Sequence, residues 1–473
     1  MHDVAVIRRP PEIHGAAFDL MVVGGTLFAC ALAREAAVAG LRTLLVAPDD
    51  PGAGGRARTW LCEALAPVGA SSAATALAER ERLLREAPHR VRPIRSVVVD
   101  AFPAGTAESA RRRLRRLAGA MPQSTLPAAQ ELAAAAALQV WPGLSTAAAA
   151  VAVLAFDAEL DEAGLSRCLV RGAIDAGATC WTHAAVAHAG IDGIEVHAPW
   201  CGRRAVVRAP VIVATEAFES VAGAFFVDVG ARLIRGVAVG CAVASAQEEL
   251  ARLAVGAMGV LEVAPGRAPS TGWWRSPACD EPRASCLRDL PELGLDERAL
   301  FVGGEVAITA QRAEESTVAG TLVLEAPSPL RALSAARLLR ERLFPGSRHA
   351  TAAPIPGGTG PRLPLEPLWR RHGSAASIVA RRAAASAAAR TALCPHDGVL
   401  AAEVDVALAD DGAICFADVV RRLFAAGACR DPQCLLRAHA CYLRSAGDVP
   451  DADAAAAVAA AIAAPSRATV TGR

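Results

Sequence analysis

Residues 19–50 read DLMVVGGTLFACALAREAAVAGLRTLLVAPDD, and the fold turns on this stretch. Residues 18–24 are a compact apolar run suited to a buried parallel strand, residues 27–39 carry the helix formers Ala, Leu, Arg and Glu, and residues 42–47 are a second apolar run. Strand, turn, helix and strand make the βαβ unit that opens a doubly wound α/β sheet. Where such a unit binds a dinucleotide its turn reads G-x-G-x-x-G. The first glycine makes the turn, the second lets the backbone approach a pyrophosphate, and the third lets the helix pack closely on the strand. Here the turn reads G-G-T-L-F-A: Gly24 holds the first place, Thr26 puts a β-branched side chain at the second, and Ala29 puts a methyl group at the third. The acid that would end the second strand and hold a ribose hydroxyl is replaced by Ala47, with Asp49 and Asp50 just beyond it. Alone, so partial a fingerprint reads equally as an ordinary βαβ turn.

The chain has 473 residues, 53% of them hydrophobic, which suffices for two or three domains with sizeable cores. A formal net charge of +1 gives no electrostatic reason to expect nucleic acid as a partner. There is no lysine, and all 49 basic residues are arginine. That excludes a lysine nucleophile or Schiff base and leaves a fixed cation wherever a relative uses lysine. Thirteen cysteines occur without a C-x-x-C pair, and MHDVAVIRRPPEIHG at the start lacks the apolar core of a signal peptide, so a reduced, cytoplasmic setting is expected. The apolar passage 210–245 is interrupted by Glu216, Glu219, Asp228, Arg232 and Arg235 and does not span a bilayer as one segment. The run ARRRLRR at 110–116 reads first as a solvated helix face, with peripheral contact to anionic lipid at the inner face of the membrane as the alternative.

Further along, ALAERERLLREA at 76–87 puts Leu77, Leu83 and Leu84 on one stripe of a helix that Pro88 ends. LSRCLVRGAIDAGA at 165–178 reads as an amphipathic helix, and APVIVAT at 209–215 as a buried strand. Alternating strands and helices over the first 330 residues support an α/β core. The expected organisation is an α/β domain over 17–345 with an interleaved α+β substrate domain at about 90–155 and 220–330. A Pro- and Gly-rich linker at 346–366 and a helical C-terminal domain at 367–465 follow.

Several blocks are similar, in order, to one family. They are D-L-M-V-V-G-G and A-R-E-A-A-x-x-G-L in the opening stretch, D-D-P-G-A-G-G-R-A-R-T (49–59), L-A-E-R-E-R-L-L-R-E-A-P-H (77–89) and F-D-A-E-L-D-E-A-G-L (156–165). I-V-A-T (212–215), R-L-I-R-G (232–236), G-T (320–321) and E-V-D-V-A-L-A-D-D-G-A-I-C-F-A-D-V-V-R-R-L (403–423) continue the series. In these the chain resembles the aerobic, FAD-dependent glycerol-3-phosphate dehydrogenases, as a divergent member. The resemblance implies a doubly wound, Rossmann-like FAD-binding domain with an interleaved substrate domain and a helical C-terminal domain. It further implies FAD as cofactor, oxidation of sn-glycerol 3-phosphate to dihydroxyacetone phosphate, and delivery of electrons to membrane quinone. The family's cofactor-binding positions fall on Gly24, Gly25, Thr26, Ala29, Arg58, Thr59, Ala214 and Thr215.

Much of the family's machinery departs from its pattern here. K-L-I-H-G-G-L-R-Y-L near the flavin becomes Leu61 through Val68, A-T-G becomes A-T-E with Glu216, and K-G-S-H becomes Arg235, Gly236, Val237 and Ala238. The S-G-x-R-P and G-G-K-L-T-T-Y runs that hold substrate phosphate and flavin ring have no counterpart. No catalytic residue is assigned. Arg95, Arg232, Arg235, Arg312 and Arg348 are substitute cations for a phosphate, each read first as a solvated or structural arginine. Cys429, Cys434, His439 and Cys441 raise zinc, but helical pattern makes them buried free cysteines, and no metal site is expected. Two readings result: a family member whose FAD binding and catalysis are weakened or lost, or an active flavoprotein oxidoreductase with a rebuilt site drawing on Trp273, Trp274 and Arg275, acting on a small-molecule substrate. A nicotinamide-dependent enzyme is a poorer third, and a homodimer is left open.

Overall fold

A computed structural model describes residues 12–53, 59–60, 70–100, 126–127, 130–141, 144–150, 152–190, 193–215, 332–347, 355–358, 366–409, 413–424, 429 and 431–446, and the backbone of strands at 233–241, 250–255, 260–263, 270–276, 306–309, 316–318 and 321–324. The opening unit is as its pattern predicts: β1 (Leu20–Val23), α1 (Leu27–Val38) and β2 (Thr43–Ala47). Three strands and three helices of the next stretch are β3 (Thr59–Trp60), α2 (Ala70–Glu86), β4 (Val91–Asp100), β5 (Gln130–Glu131), α3 (Ala134–Val140) and α4 (Thr146–Ala149). Then come β6 (Val153–Leu160), α5 (Glu162–Asp175), β7 (Thr179–Thr182), β8 (Ala185–Gly190), β9 (Gly193–Ala198), β10 (Arg203–Val207) and β11 (Val211–Thr215). Strands β12 (Leu233–Cys241), β13 (Leu250–Val255), β14 (Val260–Val263), β15 (Ser270–Ser276), β16 (Val306–Thr309), β17 (Ser316–Val318) and β18 (Thr321–Leu324) precede α6 (Ala332–Leu343). The C-terminal helices are α7 (Glu366–His372), α8 (Ala376–Ala385), α9 (Ala401–Ala409), α10 (Phe416–Leu423) and α11 (Pro432–Ala446), with a hairpin of β19 (Ala392–Cys394) and β20 (Val399–Leu400) between α8 and α9.

The six-stranded sheet runs β17-β18-β11-β1-β2-β7, parallel except for β17 at its edge. Leu20 lies opposite Val211 on one side and Thr43 on the other. Both faces are buried, which is why the strands read as unbroken apolar runs rather than alternating ones. Leu20, Val22 and Leu45 face helices α1, α5 and α6, in a core with Leu32, Leu165, Leu169 and Leu333. Met21, Val23, Leu44 and Val46 face the other way, against Val186, Ile194, Val196 and Val207 of the three-stranded sheet β10-β9-β8. A second, nine-stranded sheet takes β3, β4, β5 and β6 from one part of the chain and β12 to β16 from another.

The helix expected at 76–87 is the C-terminal part of α2, and its charges are structural. Arg80 pairs with Glu81 at 3.2 Å and with Asp157 of β6 at 3.3 Å, all three buried, while Arg82 bridges Glu79 and Glu86. Segment 355–358, within the expected linker, is packed: Ile355 is fully buried, and a side chain at Gly357 would come within 2.7 Å of His89 Nε2. In the C-terminal region Arg371 grips Glu403 with two bonds of 2.6 and 2.8 Å, and His372 adds a third at 2.8 Å. Burial pushes the Glu403 carboxyl up, but the bonds from His372 and Arg371 outweigh it and hold the group below the usual carboxylate range. The two family-like blocks 77–89 and 403–423 thus carry buried ion pairs that organise the fold. Among the described residues, no helix is long and apolar enough to cross a membrane.

Candidate functional site

Ligands of an open parallel sheet sit beyond the carboxyl ends of its strands. Here those ends are Val23, Ala47, Thr182 and Thr215. Gly24 has φ +137°, and a Cβ there would lie 2.2 Å from Thr215 Oγ1 and 2.5 Å from the Thr215 carbonyl, so the first place of the turn demands glycine. Thr26 is the N-cap of α1: its Oγ1 accepts from the Ala29 amide at 3.0 Å and lies 3.3 Å from Thr215 Oγ1. Since Thr215 Oγ1 donates to the Val23 carbonyl at 3.4 Å, its lone pairs are left to receive the Thr26 proton. The Thr26 hydroxyl thus accepts one hydrogen bond and donates one inside the protein, and the residue is 6% exposed.

At the ribose end Ala47 is fully buried and its carbonyl accepts from the Ala184 amide at 3.0 Å. Asp49 is exposed. Asp50 is 2% exposed and engaged: Arg422 of α10 donates to it through Nε at 3.2 Å and through Nη2, and Arg167 of α5 stands 3.7 Å away. The loop closes over the glycine turn, the Gly52 amide donating to the Gly25 carbonyl at 2.7 Å.

A second tie lies beside the first. His183, in the loop after β7 with φ +52°, meets Asp418 of α10, Nε2 to Oδ2, at 3.1 Å. Asp418 also accepts from the Ile414 and Cys415 amides at the start of α10. Burial works against both charges, but the bond between them prevails: the His183 imidazole is held above its ordinary value and the Asp418 carboxyl far below its own. Helix α10 is therefore latched across the strand ends by two charged pairs. A cavity of about 310 Å³ opens not over the glycine turn but beneath the latch, where Arg90, Arg167, Arg371 and Arg422 meet Cys168 and His372.

Of the expected site residues, the structure gathers Gly24, Gly25, Thr26, Ala29, Ala214 and Thr215 at the ends of β1 and β11. Thr59 lies in β3, opposite Leu160 in the nine-stranded sheet. Arg58, Leu61 to Val68, Glu216, Arg232, Arg312, Arg348 and the run 110–116 lie outside the described residues, as do the side chains of Arg235, Trp273, Trp274 and Arg275. Arg95 is exposed on β4. Sequence reasoning missed Arg422, Asp418, Arg167 and His183. The i, i+4 spacing of Asp418 and Arg422 puts both on one helix face, but names no partner across more than 200 residues.

The N-terminus of α1 still offers an anion its positive end. The donors and acids around it do not fit FAD held in the family's manner: one amide of the first turn is spent on Thr26, the ribose place holds a methyl group, and the nearest buried acid is bound to two arginines.

Residues 19–260, just over half of the chain, match the family described as FAD dependent oxidoreductase. A glycerol-3-phosphate dehydrogenase of Synechocystis sp. is 34% identical over 99 residues, which are 20% of this chain and 18% of that protein, so the chain spans a small part of that relative. In three dimensions the fold is similar to that of glycerol-3-phosphate dehydrogenase from Bacillus halodurans complexed with FAD, with a TM-score of 0.61 at 15% identity over 88% of this chain and 87% of that one. L-alpha-glycerophosphate oxidase from Mycoplasma pneumoniae, with FAD bound, gives a TM-score of 0.46 at 15% identity over 71% of this chain and 98% of that one. The extent of the first match, together with the βαβ unit it begins on, settles the family: the chain belongs to the FAD-dependent oxidoreductases, whose cofactor is FAD.

Proposed function

We propose that this chain is a divergent relative of the FAD-dependent glycerol-3-phosphate dehydrogenases in which FAD binding, and with it oxidation of sn-glycerol 3-phosphate, is weakened or lost. The observation that carries this reading is Thr26. At the place where backbone should meet pyrophosphate, a side chain stands with its hydroxyl closed onto Ala29 and Thr215. Ala47 and the Asp50–Arg422 pair extend the same reading to the ribose end. A fold survives such changes because its core is apolar packing over many residues, whereas a site fails when a few fixed contacts go.

The test is the visible spectrum of the purified chain. Protein that is colourless as isolated, and stays so after incubation with FAD and gel filtration, supports the reading. Stoichiometric flavin released on denaturation would overturn it and leave the rebuilt flavoenzyme. In the double variant Thr26→Gly/Ala47→Glu, retained flavin should rise at least tenfold, a change of about 1.4 kcal/mol in binding free energy, read by equilibrium dialysis.

A further inference from the structure

The sequence raises zinc at Cys429, Cys434, His439 and Cys441, and the structure splits that group. His439 stacks edge-on against Phe416, with ring centroids 4.8 Å apart, and Cys441 Sγ donates to the Ala401 carbonyl. Cys429 and Cys434 instead meet Cys394 and His396, which lie more than thirty positions earlier in the chain. The His396 Nδ1 atom is 3.5 Å from Cys429 Sγ, 3.5 Å from Cys434 Sγ and 3.9 Å from Cys394 Sγ. All four donor atoms lie within 4.8 Å of one another.

The nitrogen-to-sulfur separations are close to those of one tetrahedron. With metal bonds of about 2.3 Å to sulfur and about 2.0 Å to nitrogen, adjacent S and N ligands of a tetrahedral ion stand about 3.5 Å apart. A two-iron cluster divides its ligands between two metal atoms and spreads the pairs further. Cys394 and His396 come from one tight turn, and Cys434 from a helix. Cys394-Pro395-His396-Asp397-Gly398 is the turn between β19 and β20, with Gly398 at φ +64°, and Cys434 stands in the first turn of α11, fully buried. Two groups aimed at the sulfurs would support thiolate charge: the Asp397 amide donates to Cys394 Sγ at 3.3 Å and Arg437 Nη2 to Cys434 Sγ at 3.1 Å.

We infer that Cys394, His396, Cys429 and Cys434 bind a single zinc ion in a closed, four-ligand structural site. Binding displaces three thiol protons, one of them from the bond between Cys434 and Asp431, and leaves a net charge of −1 that Arg437 faces. The ion joins the β19–β20 hairpin to α11, with no position left for water, so its role is to hold the C-terminal region rather than to catalyse. Nothing in this depends on whether FAD binds.

The full-length chain, purified without chelator, should carry one zinc per chain by elemental analysis, with neither iron nor acid-labile sulfide. After removal of zinc, cobalt(II) should give the visible bands of a tetrahedral thiolate site. His396→Ala, at an exposed ligand, should lower metal affinity at least tenfold, while His439→Ala keeps one zinc per chain. Protein that holds no zinc and gives no tetrahedral cobalt spectrum would overturn the assignment, as would two iron and two sulfide per chain, or zinc bound undiminished by the His396→Ala variant.

Discussion

Thr26 is legible in two ways, and they conflict. Against the dinucleotide fingerprint it is an obstruction, but as a threonine just before a helical run it is a good N-cap, which is how the structure uses it. Thr26→Ala should therefore cost about 1 kcal/mol in stability, measured by chemical denaturation, through loss of the bond to the Ala29 amide. Gly24→Ala should cost more, about 1–3 kcal/mol, since it sets a Cβ into Thr215 at a backbone conformation that side chains avoid. His89 acts at the same scale. Burial first, and then the neighbouring Arg90, lower its pKa from 6.5 to about 3. The unfolded chain takes up the proton sooner, so the stability that neutral His89 contributes is complete above pH 6.5 and falls as pH drops toward 3. His89→Phe should flatten that acid limb in urea titrations run across the range.

At the scale of elements, α1, β1, β2, α5 and β11 followed from apolar runs and turn residues, because local pattern and burial agree there. The latch of α10 did not. Each of its pairs joins residues far apart in sequence, and a single sequence offers no signal for such a contact. Arg422→Met should destabilise by about 3–5 kcal/mol, since it leaves Asp50 buried beside Arg167 alone, and adding Asp50→Asn should recover most of the loss in a double-mutant cycle. The pH signature of the neighbouring pair has the opposite sign to that of His89. His183 is raised in the folded state, so its contribution is complete below its ordinary pKa of 6.5 and is lost as pH climbs through the folded value. His183→Gln should remove that alkaline decline.

For the whole molecule, the α/β class was readable from alternating patterns, and the two packed faces of the parallel sheet explain why: burial on both sides writes itself into the sequence as continuous Val, Leu and Met. What pattern does not record is the destination of charge. The 77–89 and 403–423 blocks hold buried ion pairs, Arg80–Asp157 and Arg371–Glu403 among them. Glu403→Gln, far from the glycine turn, should accordingly lower the cooperative unfolding of the C-terminal region by about 3–5 kcal/mol, visible as an earlier transition in calorimetry. The Asp50–Arg422 pair shows how such burial constrains change. Substituting Arg422 alone leaves Asp50 with only the more distant Arg167, and substituting Asp50 alone removes the buried carboxylate that Arg422 grips. The two positions are therefore energetically coupled, and a change at either is best tolerated when the other changes with it.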